Sequence, residues 1–203
     1  MVQSIQPSEF HHLVATVKQE VGEDLYITAI VPAVYWYMYP QSIVEKNTST
    51  KITREWAEAG VDCFTHWTPN GMVTLDQDTR NKVNRAVVAD SNKWRKDSMI
   101  PVMPGFNDDA WRPGSAGAKT SPRGDGQSWR KQIVSARRAR PDFIFIQSWN
   151  EWHEGSQIEP STAYSDPYLY LQILAQELKR PWHTPELPQK QSVDSLRRPY
   201  LPY

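Results

Sequence analysis

The sequence predicts an α/β fold in which helices cover a parallel β-sheet. Short apolar runs rich in β-branched and aromatic residues alternate with longer segments of helical periodicity. The apolar runs are nearly continuous, which is typical of strands in parallel sheets. Two architectures fit this pattern, an open doubly wound sheet and part of a (β/α)8 barrel. No GxGxxG loop follows any of the runs, so the phosphate-binding loop that would favour the open sheet is absent.

The ends of the predicted elements are marked by residues with known preferences. Pro7 and Ser8 start the first helix, Gly22 ends it, and Gly60 ends a second, shorter helix. Arginines near position 140 suit the negative end of a helix dipole. The predicted helices cover residues 7–22, 50–60, 75–94, 126–140 and 168–179. The predicted strands cover residues 25–31, 61–67, 99–103 and 142–149.

A complete (β/α)8 barrel needs eight strand–helix units and about 250 residues. We therefore expect this chain of 203 residues to hold about four βα units from the C-terminal part of a barrel. The barrel part extends over residues 1–180, and residues 181–203 form an irregular, proline-rich tail. A half-barrel exposes sheet edges, so self-association or a missing N-terminal half would have to cover them.

The composition argues against several classes of protein. Basic and acidic residues number 23 each, so the basic footprint of a nucleic-acid partner is absent. A single cysteine rules out an internal disulfide framework and a cysteine-rich zinc site, and we expect no metal and no cofactor. A membrane helix needs about 20 apolar residues. The most apolar stretch, residues 26–39, is shorter than that, so we expect no membrane span. No signal peptide is visible, and the localisation stays open.

Aromatic and polar residues follow every predicted strand, at the edge where parallel α/β folds place their active sites. Tyr37 follows the first strand, His66 and Trp67 end the second, and Asp109 and Arg112 follow the third. Ordinary turns would contain mostly Gly, Ser, Lys and Asn. These five side chains are candidates for substrate binding. Core packing of Tyr37 and an ion pair between Asp109 and Arg112 are the competing interpretations.

The strongest candidate site follows the fourth strand and reads Trp149-Asn150-Glu151-Trp152-His153-Glu154-Gly155-Ser156-Gln157-Ile158-Glu159-Pro160. Glycoside hydrolysis needs two carboxyl groups beside the scissile bond, about 5–5.5 Å apart in retaining enzymes. Glu151 and Glu154 stand three residues apart, a spacing that one helical turn or a bent strand end can direct into one cavity. A solvated loop of cap and turn residues is the competing interpretation.

Other residues of this segment are candidates for contact with a sugar substrate. Asn150 and His153 can form hydrogen bonds with sugar hydroxyls or orient a glutamate, and Trp152 suits stacking on a flat sugar ring. Glu159 is a third carboxylate that we also assign to substrate binding. We expect it to matter less for catalysis, because it lies eight residues beyond Glu151.

The segment 149–160 resembles the signature of glycoside hydrolase family 99, the endo-α-mannosidase and endo-mannanase family, and that of the related WbsX-like proteins. Residues 60–65, Gly-Val-Asp-Cys-Phe-Thr, are similar to the family's Gly-Phe-Asp strand. Residues 103–113 resemble its Pro-Gly-aromatic-x-Asp loop with a following Arg-Pro. The resemblance covers about residues 25–180, and its strongest motifs are 103–113 and 149–160.

The resemblance implies a (β/α)8 barrel that cleaves internal α-mannosidic bonds with retention. It implies that Glu151 is the base for the sugar 2-hydroxyl, which attacks C1 to form a 1,2-anhydro sugar. It also implies that Glu154 protonates the leaving group and then activates water. In an α-mannoside the 2-hydroxyl and the leaving group are trans and axial, so backside attack is available. A non-hydrolytic, WbsX-like role in polysaccharide synthesis, or carbohydrate binding alone, is the alternative.

Arg123-Gly124-Asp125 is a cell-adhesion tripeptide. A motif of three residues arises readily by chance, and the sequence alone assigns no function to it.

Overall fold

The computed structural model describes residues 6–21, 25–31, 54–66, 75–109, 113 and 120–186. In these ranges the helices are α1 Pro7–Val21, α2 Arg54–Glu58, α3 Gln77–Lys93, α4 Gln127–Ala139 and α5 Leu169–Glu177. The strands are β1 Thr28–Val31, β2 Cys63–His66, β3 Asp97–Val102 and β4 Phe143–Ile146. The predicted alternation of helices and strands is confirmed, and most elements are shorter than predicted. The predicted tail falls largely outside the described residues and stays a prediction.

The four strands form one sheet in chain order, and every neighbouring pair is parallel. Ile30, Thr65, Met99 and Phe143 lie in one row across the sheet. A helix follows each strand. Sequential parallel strands of this kind build (β/α)8 barrels, whereas an open doubly wound sheet reverses its strand order at a switch point. The prediction of four βα units of a barrel is therefore confirmed.

One face of the sheet carries the hydrophobic core. Ile100 and Val102 of β3 share a buried cluster with Trp129 and Ile133 of α4. The same cluster includes Val87 and Val88 of α3 and Tyr170 and Ile173 of α5. Burial of such side chains contributes about 1.5–3 kcal/mol each, so the packing of α3, α4 and α5 on this face holds the sheet together.

The opposite face of the sheet is apolar and exposed, and we call it the open face. Successive side chains of a strand point to opposite faces of the sheet. The side chains that alternate with the core residues include those of Ile30, Phe143 and Phe145, which are 57%, 44% and 46% exposed. A cavity of about 360 Å³ on this face is lined by Thr28, Ile30, Thr65, His66, Met99, Pro101, Phe145 and Gln147. In a closed barrel the corresponding face is the interior, which layers of side chains fill.

A buried side chain fixes the direction in which the chain leaves β3. The Gln132 amide nitrogen of α4 donates to the Met103 carbonyl at 2.6 Å, and its Oε1 accepts from the Met103 N–H at 3.2 Å. The two bonds hold both backbone polar groups of the residue that directly follows the strand. The loop that follows therefore starts from a fixed point at the carboxyl end of the sheet.

Helix α4 begins in a crowded turn at Gly126. Its φ is +84°, and a Cβ placed there would lie 2.3 Å from Ile173 Cδ1 of α5. A side chain at this position would be strained by the backbone and would also collide with the neighbouring helix. Glycine therefore leaves space for the side chain of the buried Ile173 beside the start of α4.

We expect Gly126→Ala to lower the free energy of unfolding more than Gly124→Ala. Both residues have positive φ, +84° and +57°, so both alanines are strained. At Gly124, however, the nearest atom to an added Cβ is 3.7 Å away, which is ordinary contact. Overpacking against Ile173 should add about 1–3 kcal/mol. Urea unfolding of both variants beside the wild type measures the difference, and equal losses would contradict the crowding argument.

Candidate active site

The segment after β4 folds into a compact loop whose ends are joined. The Ser148 N–H donates to the Ser156 carbonyl at 3.0 Å, and the Ile158 N–H donates to the Ser148 carbonyl at 3.1 Å. Ile158 is buried in the main core cluster. A loop with close ends and an anchored stem is an Ω-loop, a type that is frequently functional. We call residues 148–159 the glutamate loop; it lies at the carboxyl end of the sheet.

Both predicted catalytic glutamates are half-buried in the glutamate loop. The Glu151 N–H donates to Ser148 Oγ at 2.9 Å, and its carbonyl accepts from the Ser156 N–H at 3.1 Å. The Glu154 carbonyl accepts from the Asn107 N–H at 2.8 Å. Hydrogen bonds to fixed neighbours therefore hold the backbone of each glutamate, and each side chain extends from a defined position.

The bond from Asn107 joins the loop after β3 to the glutamate loop. The Asn107 Oδ1 accepts from the Asp109 N–H at 2.9 Å and closes an Asx turn. The Asp109 carboxylate is exposed and accepts from Thr120 Oγ1 at 3.3 Å. Asp109 thus lies two residues from the contact with Glu154, at the same end of the sheet. Its predicted partner Arg112 lies outside the described residues.

Trp152 is held at its edge and on one face. Its indole Nε1–H donates to Glu159 Oε2 at 2.8 Å. Its ring stacks on Tyr164 with a centroid separation of 6.4 Å and an interplanar angle of 3°. The side chain is nevertheless 44% exposed, so aromatic surface remains for a ligand. Glu159 acts here as the hydrogen-bond partner that orients Trp152, and its predicted contact with substrate stays a prediction.

The other predicted substrate-binding residues fall into two groups. Asn150 and His153 are exposed positions of the glutamate loop and are accessible to a ligand. Tyr37 and Trp67 lie outside the described residues, and their roles stay predictions.

His66 ends β2 with a buried ring that faces α3. Its Nε2 lies 3.2 Å from Asn84 Oδ1 of α3, and Asn84 Nδ2–H donates to Ser135 Oγ of α4 at 3.0 Å. Burial lowers the pKa of His66 to about 4, although the bond to Asn84 opposes this shift. The neutral ring therefore joins β2 to two helices. His66 borders the cavity on the open face, but it is only 1% exposed, so a substrate contact would require a ligand to reach a buried ring.

The sequence reasoning missed the residues that support the glutamate loop from outside it. Arg123 donates to the carbonyls of Gly155 and Gln157 at 2.7 Å and 2.6 Å. Tyr164 supplies the ring under Trp152. Arg123 stood out only as part of the Arg-Gly-Asp tripeptide, to which the sequence alone assigns no function. Tyr164 carried no local signal, because it lies outside the motif and meets Trp152 only through folding.

The described part of the chain contains no group of three or more His, Cys, Asp or Glu side chains placed to hold a metal ion. Within the same residues, none of the helices is both long enough and apolar enough to span a membrane.

The model of glycosyl hydrolase family 99 matches residues 25–179. The chain belongs to this family. The matched range contains all four strands and the whole glutamate loop. The resemblance inferred from the motifs at 103–113 and 149–160 is therefore confirmed.

Relatives of this family 99 chain include curated mannosidases and solved structures. The glycoprotein endo-alpha-1,2-mannosidase of Mus musculus is 32% identical over 139 residues, which are 62% of this chain and 28% of that protein. A glycoprotein endo-alpha-1,2-mannosidase-like protein of Danio rerio is 45% identical over 56 residues, 28% of this chain and 12% of that protein. The chain thus spans less than a third of the length of these two curated relatives.

The solved structures support the fold. The family 99 endo-alpha-mannosidase from Bacteroides thetaiotaomicron has a TM-score of 0.51 at 20% identity, covering 87% of this chain and 64% of its own. A glycoside hydrolase-like protein has a TM-score of 0.53 at 18% identity, covering 84% of this chain and 49% of its own. Both matches cover most of this chain but only part of the known structure, as expected for four βα units of a larger barrel.

The buried imidazole of His66 makes the stability of this family 99 chain depend on pH. Its pKa is about 4 when folded and about 6.5 when unfolded. Between these values the unfolded chain binds the extra proton, so the free energy of unfolding should fall by about 1.4 kcal/mol per pH unit as the pH drops from about 6.5 towards 4. Urea unfolding from pH 7.5 to 5 measures the slope.

Two variants isolate this contribution. His66→Gln keeps a donor for Asn84 but cannot titrate, and it should flatten the slope. His11→Gln changes an exposed histidine of α1 and should leave the slope as it is. The same slope in His66→Gln as in the wild type would show that another group causes the pH dependence.

Proposed function

We propose that this chain is the catalytic part of a glycoside hydrolase that cleaves internal α-mannosidic bonds of an oligosaccharide or polysaccharide with retention. The observation that carries the proposal is the glutamate loop. It holds Glu151 and Glu154 at the carboxyl end of a parallel sheet, where barrel enzymes keep their catalytic groups. Membership of glycosyl hydrolase family 99 and the curated endo-alpha-1,2-mannosidase relatives support the substrate class.

The two glutamates would act in two steps. In the first, Glu151 takes the proton of the sugar 2-hydroxyl, whose oxygen attacks C1 as the bond from C1 to the leaving oxygen breaks. Glu154 gives its proton to that leaving oxygen. In the second step Glu154 takes a proton from water, the water oxygen attacks C1 as the bond from C1 to O2 breaks, and Glu151 returns its proton to O2. Two inversions at C1 give net retention, and both carboxyl groups end as they began.

The exposed groups around these carboxylates would bind the sugar. Trp152 offers aromatic surface for stacking, and the side chains of Asn150 and His153 are accessible for hydrogen bonds to hydroxyls. Asp109 lies beside the contact between the two loops. The remaining predicted contacts other than the buried His66, namely Tyr37, Trp67, Arg112 and Glu159, would complete the substrate site.

Carbohydrate binding without turnover, or a WbsX-like role in polysaccharide synthesis, is the second candidate function. The observation that favours it is the exposed open face of the sheet, where no described residues cover Phe143 and Phe145. A site that is open on one side can bind a substrate, but it does not exclude water from the reacting groups as a closed site does.

We also propose that the open face is covered in the functional protein, either by further strands of the barrel or by a second copy of this chain. The described residues supply four strands, where a closed barrel needs eight. Exposed apolar surface of this kind is a typical site of association.

The isolated chain should therefore self-associate. Sedimentation equilibrium over micromolar concentrations should give a mass above the 23.5 kDa of one chain. Phe145→Lys, on the open face, should shift the equilibrium towards the monomer. Leu13→Lys alters an exposed apolar residue of α1 and should not. A monomer at every concentration would contradict self-association.

The catalytic roles are tested by replacing each glutamate with glutamine and following the hydrolysis of an α-1,2-linked mannose oligosaccharide. Glu151→Gln and Glu154→Gln should each lower kcat by about 10² to 10⁴, because each removes acid–base assistance. Glu159→Gln should have a smaller effect, since its amide oxygen can still accept from the Trp152 indole. A matched surface control is Glu58→Gln, whose exposed partner is Arg54 in α2.

Two results would change the assignment. A severe loss in Glu159→Gln together with a mild one in Glu154→Gln would reverse the roles of these residues. Saccharide binding by a wild-type chain that shows no hydrolysis would favour the non-hydrolytic alternative.

A further inference from the structure

The guanidinium of Arg123 lies under the glutamate loop with all three of its nitrogens engaged. One terminal nitrogen donates to the Gly155 carbonyl at 2.7 Å and the other to the Gln157 carbonyl at 2.6 Å. The Nε–H donates to the Tyr170 hydroxyl at 2.8 Å. The charged group also lies 4.0 Å from the centroid of the Tyr170 ring and 5.1 Å from that of Tyr164.

The position of Arg123 is itself fixed by the start of α4 and by the loop after β3. A Cβ on Gly105 would lie 2.6 Å from Arg123 Cγ, so the stem of the arginine packs directly on the backbone of that loop. Phe106 and Ser121 form an antiparallel bridge beside it, with N–H to carbonyl distances of 2.9 Å and 2.7 Å. Arg123 therefore joins the loop after β3, the start of α4 and the glutamate loop.

Both carbonyls that Arg123 binds belong to the part of the glutamate loop that follows Glu154. Gly155 is the next residue, and its φ of +60° marks the sharp turn by which the chain leaves Glu154. Tyr164, one of the two rings around the guanidinium, is also the ring on which Trp152 stacks. One charged group thus contacts both the turn behind the acid–base glutamate and the support of the exposed tryptophan.

We propose that Arg123 is a positioning residue that holds Glu154 and Trp152 in their working arrangement; the inference rests on the proposed function of the glutamate loop. Arg123 acts through the backbone of residues 155–157 and through Tyr164. This gives a physical role to a residue whose only sequence signal was a tripeptide attributable to chance.

The chemistry of the contact requires arginine. A guanidinium presents its donors in a rigid planar fork, so it can bind two carbonyls and a hydroxyl in different directions at once. An ammonium at the end of a lysine side chain is a single point of charge and cannot bridge the same carbonyls in that geometry. Arg123→Lys therefore keeps the charge while it removes the fork.

The test compares Arg123→Lys with Arg138→Lys, which makes the same chemical change at an exposed position of α4. The first readout needs no activity. In ¹H–¹⁵N spectra, the indole signal of Trp152, identified by its loss in Trp152→Phe, and the amide signal of Gly155 should shift in Arg123→Lys. Both should stay in place in Arg138→Lys. Thermal unfolding establishes a temperature at which all variants are folded.

The second readout is hydrolysis of an α-1,2-linked mannose oligosaccharide at that temperature. Arg123→Lys should lower kcat per folded molecule by about tenfold to 100-fold, because small displacements of catalytic groups have effects of this size. Tyr170→Phe removes only the hydroxyl that accepts from Nε and should cause a smaller loss in the same direction. Arg138→Lys should keep the wild-type kcat.

The outcomes separate this inference from the proposed function. Unshifted Trp152 and Gly155 signals in folded Arg123→Lys would overturn the inference, as would a lower melting temperature with an unchanged kcat, since that result is purely structural. Absence of hydrolysis by the wild type would instead overturn the proposed function, while the spectra would still decide whether Arg123 positions the loop.

Discussion

The parallel register of the four strands is the constraint on which the rest of the structure depends. Because all strands run in the same direction, their carboxyl ends meet at one edge of the sheet. The loops after β3 and β4 are therefore neighbours, and the bond from the Asn107 N–H to the Glu154 carbonyl forms between them. The register also sends alternate side chains to opposite faces, which gives the sheet one face for the helices and one for the interior of a barrel.

Much of the fold was predictable from local sequence, because apolar runs and helix-ending glycines report directly on secondary structure. The place of the candidate site in the fold was predictable for the same reason, since the motif directly follows the run that became β4. Exposure was not predictable. Phe143 and Phe145 belong to an apolar run of the kind typical of parallel strands, yet they are exposed. Burial on this face of the sheet requires further residues opposite it, which the described part of the chain does not supply.

The contacts that hold the site were hidden because they join residues distant in sequence. Arg123 is 32 and 34 residues from the carbonyls that it binds, and the pairing exists only once α4 has packed on the sheet. The buried ring of His66 is a similar case. Its place at a strand end suggested a contact with substrate, whereas its alternation in the strand and its bond to Asn84 direct the ring towards the helices.

Because the ends of the glutamate loop are joined to each other, the stability of the sheet does not depend on which residues the loop contains. The bonds between Ser148, Ser156 and Ile158 close the stem through backbone groups, so the stem does not depend on which side chains lie between them. The exposed side chains of the loop can therefore change while the sheet below stays unchanged. Substitutions at exposed positions such as Asn150 and His153 would then change the chemistry presented at the carboxyl end of the sheet without disturbing the sheet itself.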